Sequence, residues 1–258
     1  MLNKSFVFVV GILCICNAYA VDIAGTVNTY VKGSGDVAAG STAITYSGAF
    51  RGAGALLSAG DNLLLIQSQG AKINTTNTDR YGDGVGTGAN ISTTPTSAHG
   101  TEGYAGGLIS QTAGTFEYVQ VSSVVGATVN LTSALSHDYF DADEANWQIV
   151  VVPDYLADGA SLTADLTGSA WDGDTGGVIA FNATGGTIDF NGNTINASGI
   201  GFRGGVELDA NSTTDNIANV TEASNDAGGK GEGIAGTPKR VYDGSSVVDE
   251  GSSTLAGG

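Results

Sequence analysis

Sulfur chemistry is almost absent from this chain. Its two cysteines, Cys14 and Cys16, both fall in the first twenty residues. If that segment is removed, no disulfide, redox motif or thiolate-bound metal can form. Imidazoles are as scarce: His99 and His137 are the two present, and neither adjoins a Gly-x-Ser-x-Gly elbow. A Ser-His-Asp site or a zinc site therefore has little to be built from. Basic residues number nine against 26 acidic ones, for a formal net charge of −17. That balance excludes nucleic acid and anionic membrane surfaces as natural partners, since both demand clustered Lys and Arg. Strong helical patterning is missing too: beyond the first twenty residues no window holds apolar residues at i, i+3, i+4 and i+7 over three turns.

What is present begins with an export signal. Lys4 precedes an apolar run from Phe6 to Cys16, and the small-x-small triplet Ala18-Tyr19-Ala20 precedes Val21. This is the layout of a cleavable signal peptide over 1–20. The run is shorter than the roughly 20 residues a membrane span needs, and Ile15 before Cys16 speaks against a lipoprotein anchor. The expected mature protein is secreted, extracellular or displayed on the outer cell surface, with no membrane insertion. At about 238 residues it can bury a core without disulfides.

The remainder holds most of 41 glycines with only three prolines, together with many Thr, Ser, Asn, Val and Ile. That is material for short strands and tight turns. Over 21–157 the expected strands are Thr26 to Val31, Ala43 to Ser47, Asn62 to Gln67, Phe116 to Val124, Thr128 to Leu131 and Trp147 to Val152. A hairpin about Gly126-Ala127 would set Val119 and Val121 against Val129 and Leu131. The continuous runs Leu63 to Ile66 and Ile149 to Val152 imply strands buried on both faces, hence central ones. Residues 74–101 are nearly all polar and read as a long loop.

From 158 to 205 the texture shifts to strands of three to five residues, Val178 to Phe181, Thr187 to Phe190 and Thr194 to Ala197, with Phe181 and Phe190 nine apart. Such strands suit the first coils of a β-solenoid, each pairing with the next. Ile188 and Phe190 would face inward and Thr187 and Asp189 outward. Residues 206–258 form a polar, Gly-rich loop or incomplete module, and the missing closing strand suggests that the natural protein continues. The expected fold is all-β: a β-rich N-terminal cap leading into a right-handed parallel β-helix.

Distinctive motifs mark the second part. Trp171-Asp172-Gly173 is followed by Thr175-Gly176-Gly177-Val178 and by Phe202-Arg203-Gly204-Gly205. Upstream stand Gly60-Asp61-Asn62 with the run to Gln67, and downstream Gly231-Glu232-Gly233-Ile234-Ala235-Gly236. Over about Val31 to Tyr242 the chain resembles the N-terminal region of large, Gly-rich bacterial exported or cell-surface proteins of adhesin type. The resemblance implies location and architecture, a β-solenoid stalk with a cap, and no catalytic residues. On this reading Trp171 seals the core at the junction, Phe202 plugs the coil, and Arg203 reaches outward or pairs with Asp189 or Asp172.

Three chemistries compete with a scaffold role. Asp172, Asp174 and Asp189 with Arg203 would be the residues of a carbohydrate-cleaving face, although Asp beside Gly is what tight turns select. Asp138, Asp141, Asp143 and Glu144 are the candidate ligands for Ca²⁺. Their spacing fails the EF-hand pattern, and a solvated acidic turn is the preferred reading. The Gly82-x-Gly84-x-Gly86-x-Gly88 stretch lacks the strand-to-helix setting of a phosphate loop. The sequence thus points to a surface scaffold or adhesive module without catalysis or cofactor, its partners extracellular glycans or cell-surface components. The alternative is a polysaccharide-binding or polysaccharide-degrading β-helix.

Overall fold

The computed structural model describes residues 20–73, 108–142, 145–155, 159–205, 231–237, 240–242 and 247–249. The expected signal peptide, apart from Ala20, and the loop 74–101 lie outside them, as does most of 206–258. The described residues form strands and no helix: β1 Val21–Thr26, β2 Thr29–Gly33, β3 Ala43–Gly52, β4 Asn62–Gln69, β5 Ala71–Ile73, β6 Leu108–Gln111, β7 Phe116–Val125, β8 Thr128–Leu131, β9 Asn146–Val152, β10 Ala160–Thr167, β11 Ile188–Asp189, β12 Arg240–Tyr242 and β13 Val247–Asp249.

Six of these close an antiparallel barrel in the order β2-β3-β8-β7-β4-β9. Alternation along each strand sends one side chain in two to the interior. Val31, Ile44, Leu63, Leu65, Val119, Val121, Val129, Ile149 and the fully buried Trp147 and Tyr139 fill it. Trp147 is fixed at both ends. Its Nε1 donates to the Gly35 carbonyl at 3.1 Å, and its ring lies where a Cβ on Gly33 would come within 2.1 Å.

The continuous apolar runs are buried on both faces, as their lack of alternation requires. Leu63, Leu65 and Ile149 face the barrel interior, whereas Leu64, Val150 and Val152 form a second cluster outside it with Tyr30. Val178 and Ala180 cover that outer cluster. The segment holding them, expected as a strand over Val178 to Phe181, is instead an extended cover without strand pairing. It is stitched to the barrel by side chains that imitate a neighbouring strand. Asn28 accepts from the Ala180 amide and donates back to its carbonyl. Gln148 does the same for Gly176, at 2.9 Å in each direction. The Tyr30 hydroxyl donates to the Val178 carbonyl.

Three further expectations are corrected. Thr26 to Val31 is not one strand: the chain breaks at Val27-Asn28, and β1 leaves the N-terminal unit to pair in parallel with β10. In the hairpin, Val121 opposes Leu131 but a bulge makes Val124 the partner of Val129, and Val119 lies against Leu63 of β4. The strands expected at Thr187 to Phe190 and Thr194 to Ala197 shrink to β11 and a single parallel bridge between Leu166 and Ile195.

The parallel sheet β1-β10-β11 nevertheless has a regular repeat. Ala160 pairs with Ile188, 28 residues on. The same offset recurs around the turn: Asp154 bridges Asn182, Trp171 N donates to the Ile200 carbonyl and Glu232 N to that of Arg203. Stacked rungs of 28 to 29 residues, rather than a nine-residue spacing, organise this part. Ile23, Ala160, Leu162 and Leu166 form its core, with Tyr155, Phe181 and Ile188 packed against it. Phe190, expected inward, is 41% exposed.

Candidate functional site

The outward row of β7 is Phe116, Tyr118 and Gln120; Val119 and Val121 alternate with it into the barrel, and Glu117 turns the same way to accept from the Ser136 and His137 amides. Across the ladder these three pair with Ile66, Leu64 and Asn62 of β4, which pair in turn with Gln148, Val150 and Val152 of β9. The cover reaches over β9 and β4 but leaves β7 bare. Phe116 and Tyr118 are 55% and 62% exposed, their rings edge to face with centroids 6.4 Å apart.

Between this bare row and the cover lies a groove of about 670 Å³. Tyr118, Asn62 and Gln120 form one wall, Asp154, Phe181 and Asn182 the other, with Val152 at the base and Thr132 and Ser133 closing one side. Its polar groups are held in place. Asp154 accepts from Asn182 Nδ2 at 3.1 Å and from the Thr184 hydroxyl at 2.7 Å, and Gln120 Nε2 donates to the Gly60 carbonyl. An aromatic face beside amides, hydroxyls and one carboxylate suits a ligand that is apolar on its faces and hydroxylated at its edges. The sequence signal for this row was the alternation of Phe116, Tyr118 and Gln120 with Glu117, Val119 and Val121, which reads as strand but not as site.

The motif residues lie elsewhere, in the seam between barrel and rungs. Trp171 is buried and packs edge to face on Phe202, centroids 5.3 Å apart. Phe202 does not plug a coil, being 41% exposed. Arg203 pairs with neither Asp172 nor Asp189. It grips Glu232 instead, whose oxygens also accept from the Trp171 indole and the Thr237 hydroxyl. Gly176 and Gly177 adopt φ of +110° and +72°, and a Cβ on Gly176 would lie 2.5 Å from the Ala170 carbonyl. Gly173 gives its carbonyl to Asn146 Nδ2. Gly204 and Gly205 run on from Arg203 without strand pairing. A smaller apolar hollow of about 240 Å³, lined by Ile66, Trp171, Val178 and Phe202 among others, sits in this seam.

The four residues considered for cleavage do not converge. Asp172 pairs with Arg51 at 2.7 Å and caps the Asp174 and Thr175 amides. Asp174 meets Lys32 at 2.8 Å, and Asp189 caps the Asn191 amide. Of the calcium candidates, Asp143 and Glu144 lie outside the described residues. Asp138 and Asp141 accept from the Ala39 and Gly35 amides, tying down the β2–β3 connection. Among the described residues no group of three or more His, Cys, Asp or Glu is arranged to hold a metal. Nor is any helix there long and apolar enough to cross a membrane.

No protein-family model and no curated protein matches the chain. Solved structures with which it aligns include the Gp54 tailspike of Acinetobacter baumannii bacteriophage AP22, in complex with A. baumannii capsular saccharide, at 14% identity and a TM-score of 0.28. Others are the tailspike protein gp49 of Pseudomonas phage LKA1, at 18% and 0.25, and the tailspike gp61 of Pseudomonas phage phi297, at 15% and 0.25. The alignments cover 57%, 57% and 58% of this chain and 17%, 18% and 20% of those. TM-scores of this size establish no common fold, and the ligands of those proteins are not transferred.

Proposed function

We propose that this protein is an exported, non-catalytic scaffold that binds polysaccharide in the groove between β7 and the cover. The reading is carried by the bare Phe116-Tyr118 row beside the groove. Two adjacent large aromatics left open to solvent on an otherwise covered sheet face mark an interaction surface. Sugar rings offer a face of C–H bonds to stack on such a surface and a rim of hydroxyls for amides and carboxylates. Asn62, Gln120, Asp154 and Asn182 supply those groups. The 28-residue rungs support the finer architecture: a parallel β-helix, right-handed like nearly all parallel crossovers, that would hold the barrel away from the cell surface.

Binding is tested by affinity electrophoresis of the purified chain through gels containing polysaccharide. Retardation by at least one polysaccharide is expected for the wild type, and Tyr118→Ala should abolish it. Tyr118 is exposed, so the variant should keep its stability to within about 0.5 kcal/mol. Recovered polysaccharide should keep its chain length after incubation; shortening would replace the scaffold reading with an enzymatic one. An N-terminus at Val21 in the exported protein is expected by mass spectrometry.

A further inference from the structure

We infer that the groove selects neutral glycan chains and rejects polyuronates and sulfated polysaccharides. The inference rests on the polysaccharide reading of the groove and adds the charge class of its ligand. Among the described residues lining the groove, Asp154 alone carries a charge, and it is negative. The other lining groups are amides, hydroxyls and apolar side chains, which recognise hydroxyls without discriminating charge.

An anionic sugar needs a cation, and the positions of the cations decide the matter. Each of the three basic residues whose side chains are described is committed to the seam. Lys32 lies between Asp174 at 2.8 Å and Asp141 at 3.8 Å. Arg51 is held by Asp172 and by the Thr175 and Ala170 carbonyls. Arg203 is clamped on Glu232. Pulling any of them to the groove would leave a carboxylate of the seam unpaired. The formal net charge of −17 adds a repulsive field that every polyanion must meet, and the juxtaposition of like charges acts chiefly on selectivity.

The test titrates the purified chain with neutral glucans, mannans and galactans, a polyuronate and a sulfated polysaccharide, at low and at physiological salt. Wild type, Tyr118→Ala and Gln120→Lys are compared. The wild type should bind at least one neutral glycan, with little dependence on salt, and Tyr118→Ala should lose it. Both polyanions should bind on the order of tenfold more weakly or not at all at low salt. Gln120→Lys, which sets a cation on the groove wall, should acquire polyuronate binding that salt removes. Polyuronate binding to the wild type as tight as that of neutral glycans, and lost in Tyr118→Ala, would overturn the charge selection and leave the groove as the site. Absence of binding across the panel, or binding that ignores Tyr118→Ala, would overturn the groove itself.

Discussion

Replacing Glu232 by Gln would keep the shape of a hydrogen-bonding group but remove the charge that faces Arg203. The Glu232 side chain is fully buried and that of Arg203 nearly so, with Nε 2.6 Å from the carboxylate. A guanidinium left alone there should cost about 3 to 5 kcal/mol, read by chemical denaturation. The pH dependence gives a sharper readout. Burial alone would push the Glu232 carboxyl up. The hydrogen bonds from Arg203 and Thr237, with the guanidinium charge, outweigh it and hold the group below its ordinary value of 4.5. A carboxylate depressed in the folded state contributes fully above the unfolded value and loses that contribution as pH falls through the folded one. The wild type should therefore lead Glu232→Gln at neutral pH, and the gap should narrow on acidification below the ordinary carboxylate range. A gap that does not change with pH would remove the ion pair from the account. None of this was legible in the sequence, where Arg203 had nearer acids in Asp172 and Asp189. The true partner lies 29 residues on, one rung away, and distance along the chain misleads when stacking sets the neighbours.

Elements show the same division between local and distant signals. The barrel strands could be read because β-branched and aromatic runs bounded by Gly mark strands locally, and the two uninterrupted runs identified the strands covered on both sides. The parallel rungs could not, because β11 has only two residues and its pairing is set by partners 28 residues away. The cover was hidden for a different reason: Asn28 and Gln148 look like ordinary polar residues until their amides are seen pairing with backbone. Both are fully buried, so their loss leaves buried peptide groups unsatisfied. Asn28→Ala and Gln148→Leu should each destabilise by about 1 to 3 kcal/mol, and more if the cover lifts, which increased proteolysis between Gly173 and Asn182 would reveal. Steric limits act at this scale too. Gly33 has no positive φ to require glycine, yet Gly33→Ala would drive a methyl into the Trp147 indole. Overpacking of about 1 to 3 kcal/mol or more is expected, along with a changed near-ultraviolet signal from Trp147. The candidate groove follows from these element-level facts. It exists because the cover stops at β4, and no run of residues in the sequence announces where a cover will stop.

At the scale of the whole molecule, barrel and rungs are halves of one cooperative unit rather than a cap placed on a stalk. The chain enters through β1, which pairs with β10, passes into the barrel, and returns to lay the cover over the barrel's outer face. A fragment ending at residue 157 would lose the partner of β1 and the cover together. Tyr30, Leu64, Val150 and Val152, at most 7% exposed in the full chain, would then meet water. Apolar area costs about 25 cal/mol per Å² when exposed. The charge pairs Lys32–Asp174 and Arg51–Asp172 would be broken as well, though these half-exposed pairs contribute little beside the apolar face. The described part of the full chain should therefore unfold in a single transition by both circular dichroism and Trp fluorescence, and the 21–157 fragment should aggregate or bind a hydrophobic dye. Glycan binding supplies an independent check. The groove needs Tyr118 from the barrel and Asp154, Phe181 and Asn182 from beyond it, so the fragment should bind no polysaccharide even where it stays soluble. A soluble, monomeric fragment with the native Trp147 signal would show that the barrel folds alone. The cover would then be an accessory to the barrel, and the groove a late addition to a self-sufficient fold.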